Sequence, residues 1–267
     1  MSGGPLATRY GPWALVAGAS EGLGAAFAER LAAEGVHLVL VARRREKLDP
    51  LCDELRRRHG VEVRALSMDL ARPDLAEAID QATADLDLGL VVYNAAFSAI
   101  GRFLARTLED HLRVVDVNVR GPVALAHRLG RRLADRGRGG LVLMTSMSGL
   151  QGSALITTYA ASKAFNLVLG EGLWDELRDH GVDVLACAAG ATRTPGYEAS
   201  APKKAAPLVS VMEPEDVVGE ALAALGRTPT LVPGVRNRMA TFFMQRLLPR
   251  RAAVRIISRA TRDMYDG

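Results

Sequence analysis

Apolar residues along this chain fall into two alternating arrangements. Short, nearly unbroken runs such as WALVA and HLVLVA are separated by longer stretches in which apolar positions recur at i, i+3 and i+4. The runs predict strands over 13–17, 37–42, 61–66, 88–93, 140–145, 182–188 and 230–233. The longer stretches predict helices over 23–34, 46–59, 73–85, 107–136, 156–179 and 214–226. Strands that are apolar on both faces suit a parallel sheet covered by helices on each side. Strand and helix in alternation imply right-handed crossovers, so the expected fold is α/β, a doubly wound parallel sheet in one domain. No linker divides the chain and no short-period repeat occurs. We expect this domain over 1–234, followed by a basic amphipathic helical extension over 235–267.

Residues 191–212 break the rhythm with Pro195, Pro202, Pro207 and many small side chains. A long irregular insert directly after a strand, where such sheets bind ligands, is expected to be a substrate lid. The extension divides at Pro249 into two amphipathic halves. Met239, Phe242, Phe243 and Leu247 share one stripe, and Ala253, Ile256, Ile257, Ala260 and Met264 share another. Eight arginines and no acid lie between Arg236 and Arg262, so a chain of net charge +4 has a body near −4 and a basic tail. That asymmetry and an aromatic content of 5% argue against a nucleic-acid partner for the main domain. The basic stripe permits peripheral contact with an anionic membrane surface, whereas packing over the substrate mouth or on a second subunit is the preferred expectation. Two distant cysteines, Cys52 and Cys187, form no metal or disulfide pattern, so no metal is expected. The start of the chain lacks an apolar leader run, which points to a cytoplasmic protein.

The first strand leads straight into GASEGLG, with Gly18, Gly22 and Gly24 spaced GxxxGxG around Ser20, Glu21 and Leu23. Glycines in that place let backbone approach a pyrophosphate and let the next helix pack closely, its free N–H groups facing the phosphates. The second strand runs into Arg43 and Arg44 with no acid at the position that reads an adenosine ribose. Arginine there suits a 2′-phosphate, so NADP(H) is favoured over NAD(H), with Glu21 opposing slightly. Farther on, TTYAASKAF sets Tyr159 and Lys163 four residues apart, on one face of a helix. A cation beside a phenol is expected to lower its pKa and make it a proton donor and acceptor.

These pieces resemble a short-chain dehydrogenase/reductase over nearly the whole chain, which implies a Rossmann-type fold. The resemblance is carried by GASEGLG, Asp69–Leu70, YNAA at 93–96, Asn118, Ser146 in TSMSG, YAASK at 159–163 and AGATRT at 189–194. Within the family the chain is most similar to the branch of 17β-hydroxysteroid and 3-ketoacyl reductases. The resemblance implies a catalytic set of Asn118, Ser146, Tyr159 and Lys163. Tyr159 would be the acid, Ser146 would orient the substrate oxygen, Lys163 would also hold the nicotinamide ribose, and Asn118 would retain a water. It further implies cofactor contacts from Asp69 and Leu70 around adenine, from Asn94, Ala95 and Ala96, and from Gly190, Thr192 and Thr194. Tyr93, Ala96, Ala189 and Ala17 depart from the family pattern near the cofactor.

Pocket residues are expected from 96–103, 147–157 and the 191–212 insert, among them Phe97, Ile100, Met147, Leu150, Leu155 and Ile156. Their apolar character favours a lipophilic ketone or alcohol, steroid-like or a fatty 3-oxoacyl group. The expected activity is therefore NADP(H)-dependent ketone–alcohol interconversion; the alternative is an NADP(H)-binding sensor or scaffold that docks through its basic tail. Long helices over 107–136 and 156–179 imply, by the resemblance, a homo-oligomer, either dimer or tetramer.

Overall fold

A computed structural model describes residues 4–199 and 210–265. The part of the expected lid over 200–209, with Pro202 and Pro207, lies outside the described residues. Seven strands form one parallel sheet: β1 (Trp13–Ala17), β2 (His37–Ala42), β3 (Val63–Ser67), β4 (Leu88–Tyr93), β5 (Gly139–Ser146), β6 (Val182–Ala189) and β7 (Thr230–Leu231). Their spatial order is 3-2-1-4-5-6-7. The order reverses between β1 and β4, which opens a crevice at the carboxyl ends of the strands.

Alternate side chains of the sheet enter two separate cores, as a doubly covered sheet requires. Val16, Leu40 and Val92 pack on one face with Phe27 and Leu31 of α2 (Gly22–Ala33). Leu15, Val41 and Val91 pack on the other with Ile79, Leu125 and Leu129. The expected helices form as α2, α3 (Arg45–His59), α4 (Leu75–Ala82), α7 (Thr157–Glu176) and α9 (Pro214–Ala224). Two short helices were not foreseen: α1 (Pro5–Tyr10), whose Tyr10 hydroxyl donates to Asp183 Oδ2 at 2.8 Å, and α8 (Pro195–Ala199).

The helix expected over 107–136 is not continuous. It comprises α5 (Leu108–Val115), a π-helical turn (Asp116–Arg120) and α6 (Gly121–Asp135). A π turn accommodates one extra residue and leaves a carbonyl without its usual partner. Tyr93, at the end of β4, supplies one: its hydroxyl donates to Val117 O at 2.5 Å. Gly121 makes this possible, because a Cβ there would stand 2.2 Å from the Tyr93 hydroxyl oxygen.

The extension folds as α10 (Val235–Phe242), a π turn (Phe243–Leu247) and α11 (Arg250–Tyr265), breaking at Pro249. It is pinned to the segment that follows β5. Ala154 N donates to Ser258 Oγ at 3.0 Å, Ser153 and Thr261 hydroxyls meet at 2.7 Å, and Arg250 Nη1 donates to Leu150 O at 2.8 Å. Among the described residues, no helix is long and apolar enough to cross a membrane.

Candidate active site

Register sets the site. Ala17 pairs with Val41 and Tyr93, and Ser146 pairs with Ala189, so the chain leaves β1, β2, β4, β5 and β6 along one edge of the sheet. One cavity of about 1400 Å³ runs along that edge, from the glycine turn and Arg43 at one end to α11 at the other.

At the first end α2 begins with Glu21 as its N-cap, and no side chain caps the helix, so first-turn N–H groups remain for an anion. Gly22 faces Thr194 across the cleft: a Cβ at 22 would stand 2.9 Å from Thr194 Cγ2 and would narrow the channel. Gly18, Ser20, Glu21, Gly22 and Leu23 line the cavity here, as do Arg43, Arg44, Asp69, Leu70, Asn94, Ala95, Ala96, Gly190, Thr192 and Thr194. Gly24 does not line it. A Cβ there would stand 2.0 Å from Gly18 O, so this glycine serves the packing of α2 against the turn. Asn94 braces the same turn, its Nδ2 donating to Gly18 O at 2.9 Å. Two expected contacts carry ion pairs of their own: Asp69 Oδ2 accepts from Arg113 Nη2 at 2.9 Å, and Arg44 Nη2 lies 2.7 Å from Glu21 Oε1. A bare helix start, a backbone-walled channel and two arginines beside it fit a dinucleotide bearing a 2′-phosphate.

At the centre, α7 presents Tyr159 and Lys163 to the cavity beside Ser146 of β5. Lys163 is almost wholly buried, with its Nζ donating to Met144 O at 2.8 Å and lying 5.7 Å from the Tyr159 ring centroid. Burial brings its pKa down to about 8. Burial also raises the Tyr159 phenol above its ordinary value, opposed by a hydrogen bond with Ser146 and reinforced by the nearby Tyr265. The expected lowering of the phenol by Lys163 is thus not found in the chain alone. The ammonium is directed at a main-chain carbonyl and over the ring face, not at the hydroxyl, so desolvation dominates. Ser146 Oγ also accepts from Ser148 N at 3.2 Å, which fixes the turn after β5.

Asn118 is fully buried in the π turn and does not line the cavity. Its Oδ1 accepts from Phe97 N at 2.8 Å, and its Nδ2 donates to Phe97 O at 2.9 Å and Ser162 Oγ at 3.0 Å. Its carbonyl accepts from Asn166 Nδ2 at 2.9 Å. It therefore clasps the loop after β4 to α7, and Asn166, a residue that sequence reasoning missed, completes the clasp.

The far end is apolar. Phe97, Ile100, Met147, Leu150 and Ile156 line it as expected; Leu155 does not, because its side chain is buried away from the cavity while its carbonyl accepts from Gly101 N at 2.8 Å. The extension closes this end with Met239, Phe243 and Met244, and with Ile256, Ile257, Ala260, Met264 and Tyr265 of α11. Among the described residues no cluster of His, Cys, Asp or Glu could hold a metal ion.

The chain matches the family model of short chain dehydrogenases over residues 12–205. It is 35% identical over 236 residues to a 7β-hydroxysteroid dehydrogenase of Collinsella aerofaciens, covering 87% of this chain and 90% of that one. A solved structure concerned with the stereoselectivity of a 7β-hydroxysteroid dehydrogenase superposes with a TM-score of 0.88 at 33% identity, covering 94% and 98% of the two chains. A short-chain dehydrogenase from Sphingobium yanoikuyae in complex with NADPH superposes with a TM-score of 0.76 at 35% identity, covering 88% and 94%.

Proposed function

This chain belongs to the short-chain dehydrogenase family and is an NADP(H)-dependent oxidoreductase, and from that premise we propose that it interconverts a bulky lipophilic ketone and its secondary alcohol. The observation that carries the reading is the continuity of one cavity. A phosphate-ready turn, a Ser–Tyr–Lys group and an apolar chamber follow one another along it. The chamber suits a steroid-like ketone, the class named for the Collinsella relative, or a fatty 3-oxoacyl group.

Ser20, Gly22, Arg43, Arg44 and Thr194 would hold NADPH, which would supply a hydride to the carbonyl carbon. Tyr159 donates its proton to the carbonyl oxygen, and the Ser146 hydroxyl donates a hydrogen bond to that same oxygen and orients it. Burial keeps the phenol protonated, which suits reduction. Lys163 pairs with no carboxylate among the described residues, and its ammonium, 5.7 Å from the Tyr159 ring centroid, offsets the charge left on the phenol as the proton departs. Asn118 positions α7 and the loop bearing Phe97 and takes no proton.

The test is a purified-protein assay of NADPH oxidation with bulky ketones, steroid ketones among them, repeated with NADH. Alcohol formed in step with NADPH consumed, and faster than with NADH, is the expected result. Turnover only of small polar carbonyls would contradict the substrate assignment.

Exposed apolar residues on α5 and α7, with Leu108 73%, Leu112 52% and Val168 66% exposed, support pairing with a second copy of the chain through that face.

A further inference from the structure

The end of the cavity that fits a 2′-phosphate also holds an acid. Glu21 stands in the glycine turn and lines the cavity beside Arg43 and Arg44. Two cations from the start of α3 converge on its carboxylate: Arg44 Nη2 lies 2.7 Å from Oε1, and Lys47 Nζ lies 2.6 Å from Oε2. Lys47 does not line the cavity; it approaches Glu21 from outside. Arg43 makes no ion pair among the described residues, and Asp69, its acidic neighbour, is already paired with Arg113 at 2.9 Å.

This layout has a consequence for phosphate recognition. An unneutralised carboxylate at the ribose would repel the dianionic phosphate and would compete with it for Arg44. The Glu21 carboxyl is held below the usual carboxylate range, with the Lys47 hydrogen bond the largest cause, so it carries its charge at neutral pH. Arg44 has donors beyond the one on Glu21, whereas Lys47 makes no other ion pair among the described residues.

We propose that Lys47 is a charge-compensating positioning residue, which stays on Glu21 and thereby releases Arg44, together with Arg43, to the 2′-phosphate. It determines cofactor preference without touching the cofactor, and it acts through Glu21. The inference rests on the NADP(H) assignment made above.

The test is fluorescence titration with NADPH and with NADH of the full chain, of Lys47→Met and of the double variant Glu21→Gln/Lys47→Met. With Lys47 removed, NADPH affinity falls about fivefold, the scale of a partly exposed ion pair, while NADH affinity is kept. In the double variant NADPH affinity returns to near the starting value, since the charge that needed compensation is gone. A double variant as weak as Lys47→Met would mean that Lys47 binds the phosphate directly, and would overturn the inference. Equal weakening of both cofactors, or no change in either, would overturn it too. An unaltered protein that binds NADH in preference, or neither nucleotide, would remove the cofactor assignment itself and this inference with it.

Discussion

Among the described residues Lys163 is the one lysine, arginine, aspartate or glutamate that is buried. The residue is 2% exposed, its ammonium donates to the Met144 carbonyl, and burial brings its pKa from the usual 10.5 to about 8. The unfolded chain holds that proton up to pH 10.5, whereas the folded chain releases it near pH 8. Between those values the unfolded state binds more protons, so raising the pH favours folding, by about 3 kcal/mol in all. Below pH 8 both states are protonated and this contribution to the slope vanishes. In Lys163→Met the rise in unfolding free energy over that window should be absent when stability is followed by denaturant titration at stepped pH. An equal rise in both proteins would contradict the assignment of that pKa. Tyr159 and Lys163 stood out in the sequence as an i, i+4 pair and Ser146 through the resemblance of TSMSG to the family, and the three line one cavity. Lys47 and Asn166 were not, because each matters through a partner at another point of the fold, Glu21 and the Asn118 carbonyl.

Elements were legible where periodicity is regular and illegible where packing changes it. The apolar repeat runs through 107–136 without a break in composition, yet the π turn at Asp116–Arg120 shifts the phase of everything after it. That turn depends on Tyr93 meeting Val117 O and on Gly121 leaving room for the phenol, two residues separated by a strand exit and a helix. Tyr93 departs from the family pattern, and its hydroxyl here braces the turn that carries Asn118. Gly121→Ala should destabilise the protein by roughly 2–3 kcal/mol, the scale of overpacking a filled core. Combined with Tyr93→Phe, which removes the nearest atom, the cost should be less than additive in thermal or urea unfolding. Strict additivity would show that the two side chains do not share that space. The extension illustrates the same limit. Its two stripes, the break at Pro249 and packing over the substrate mouth or on a second subunit were readable; that Ile256, Ile257, Ala260 and Met264 wall the cavity itself required knowing where the loop after β5 lies.

On the scale of the whole molecule, a slightly acidic doubly wound body carries a basic tail folded back over its own ligand cavity. The parallel sheet and its two-sided core follow from the apolar runs, so this level was the most legible of all, whereas the strand order 3-2-1-4-5-6-7 is set by which strands pair in the fold. The apolar face on α5 and α7 should pair copies of the chain. Leu112→Glu with Val168→Glu, at positions 52% and 66% exposed, should therefore lower the mass found by sedimentation to that of one chain. An unchanged mass would place any assembly on another face. On the proposed mechanism the proton comes from Tyr159. The measurement to make is NADPH-dependent reduction of a bulky ketone by Tyr159→Phe, alongside its NADPH affinity by titration. Affinity should be retained while the reduction rate falls by about a hundredfold or more, the loss of a positioned proton donor. Reduction at the unaltered rate, with NADPH still bound, would show that the proton comes from elsewhere and would contradict the mechanism.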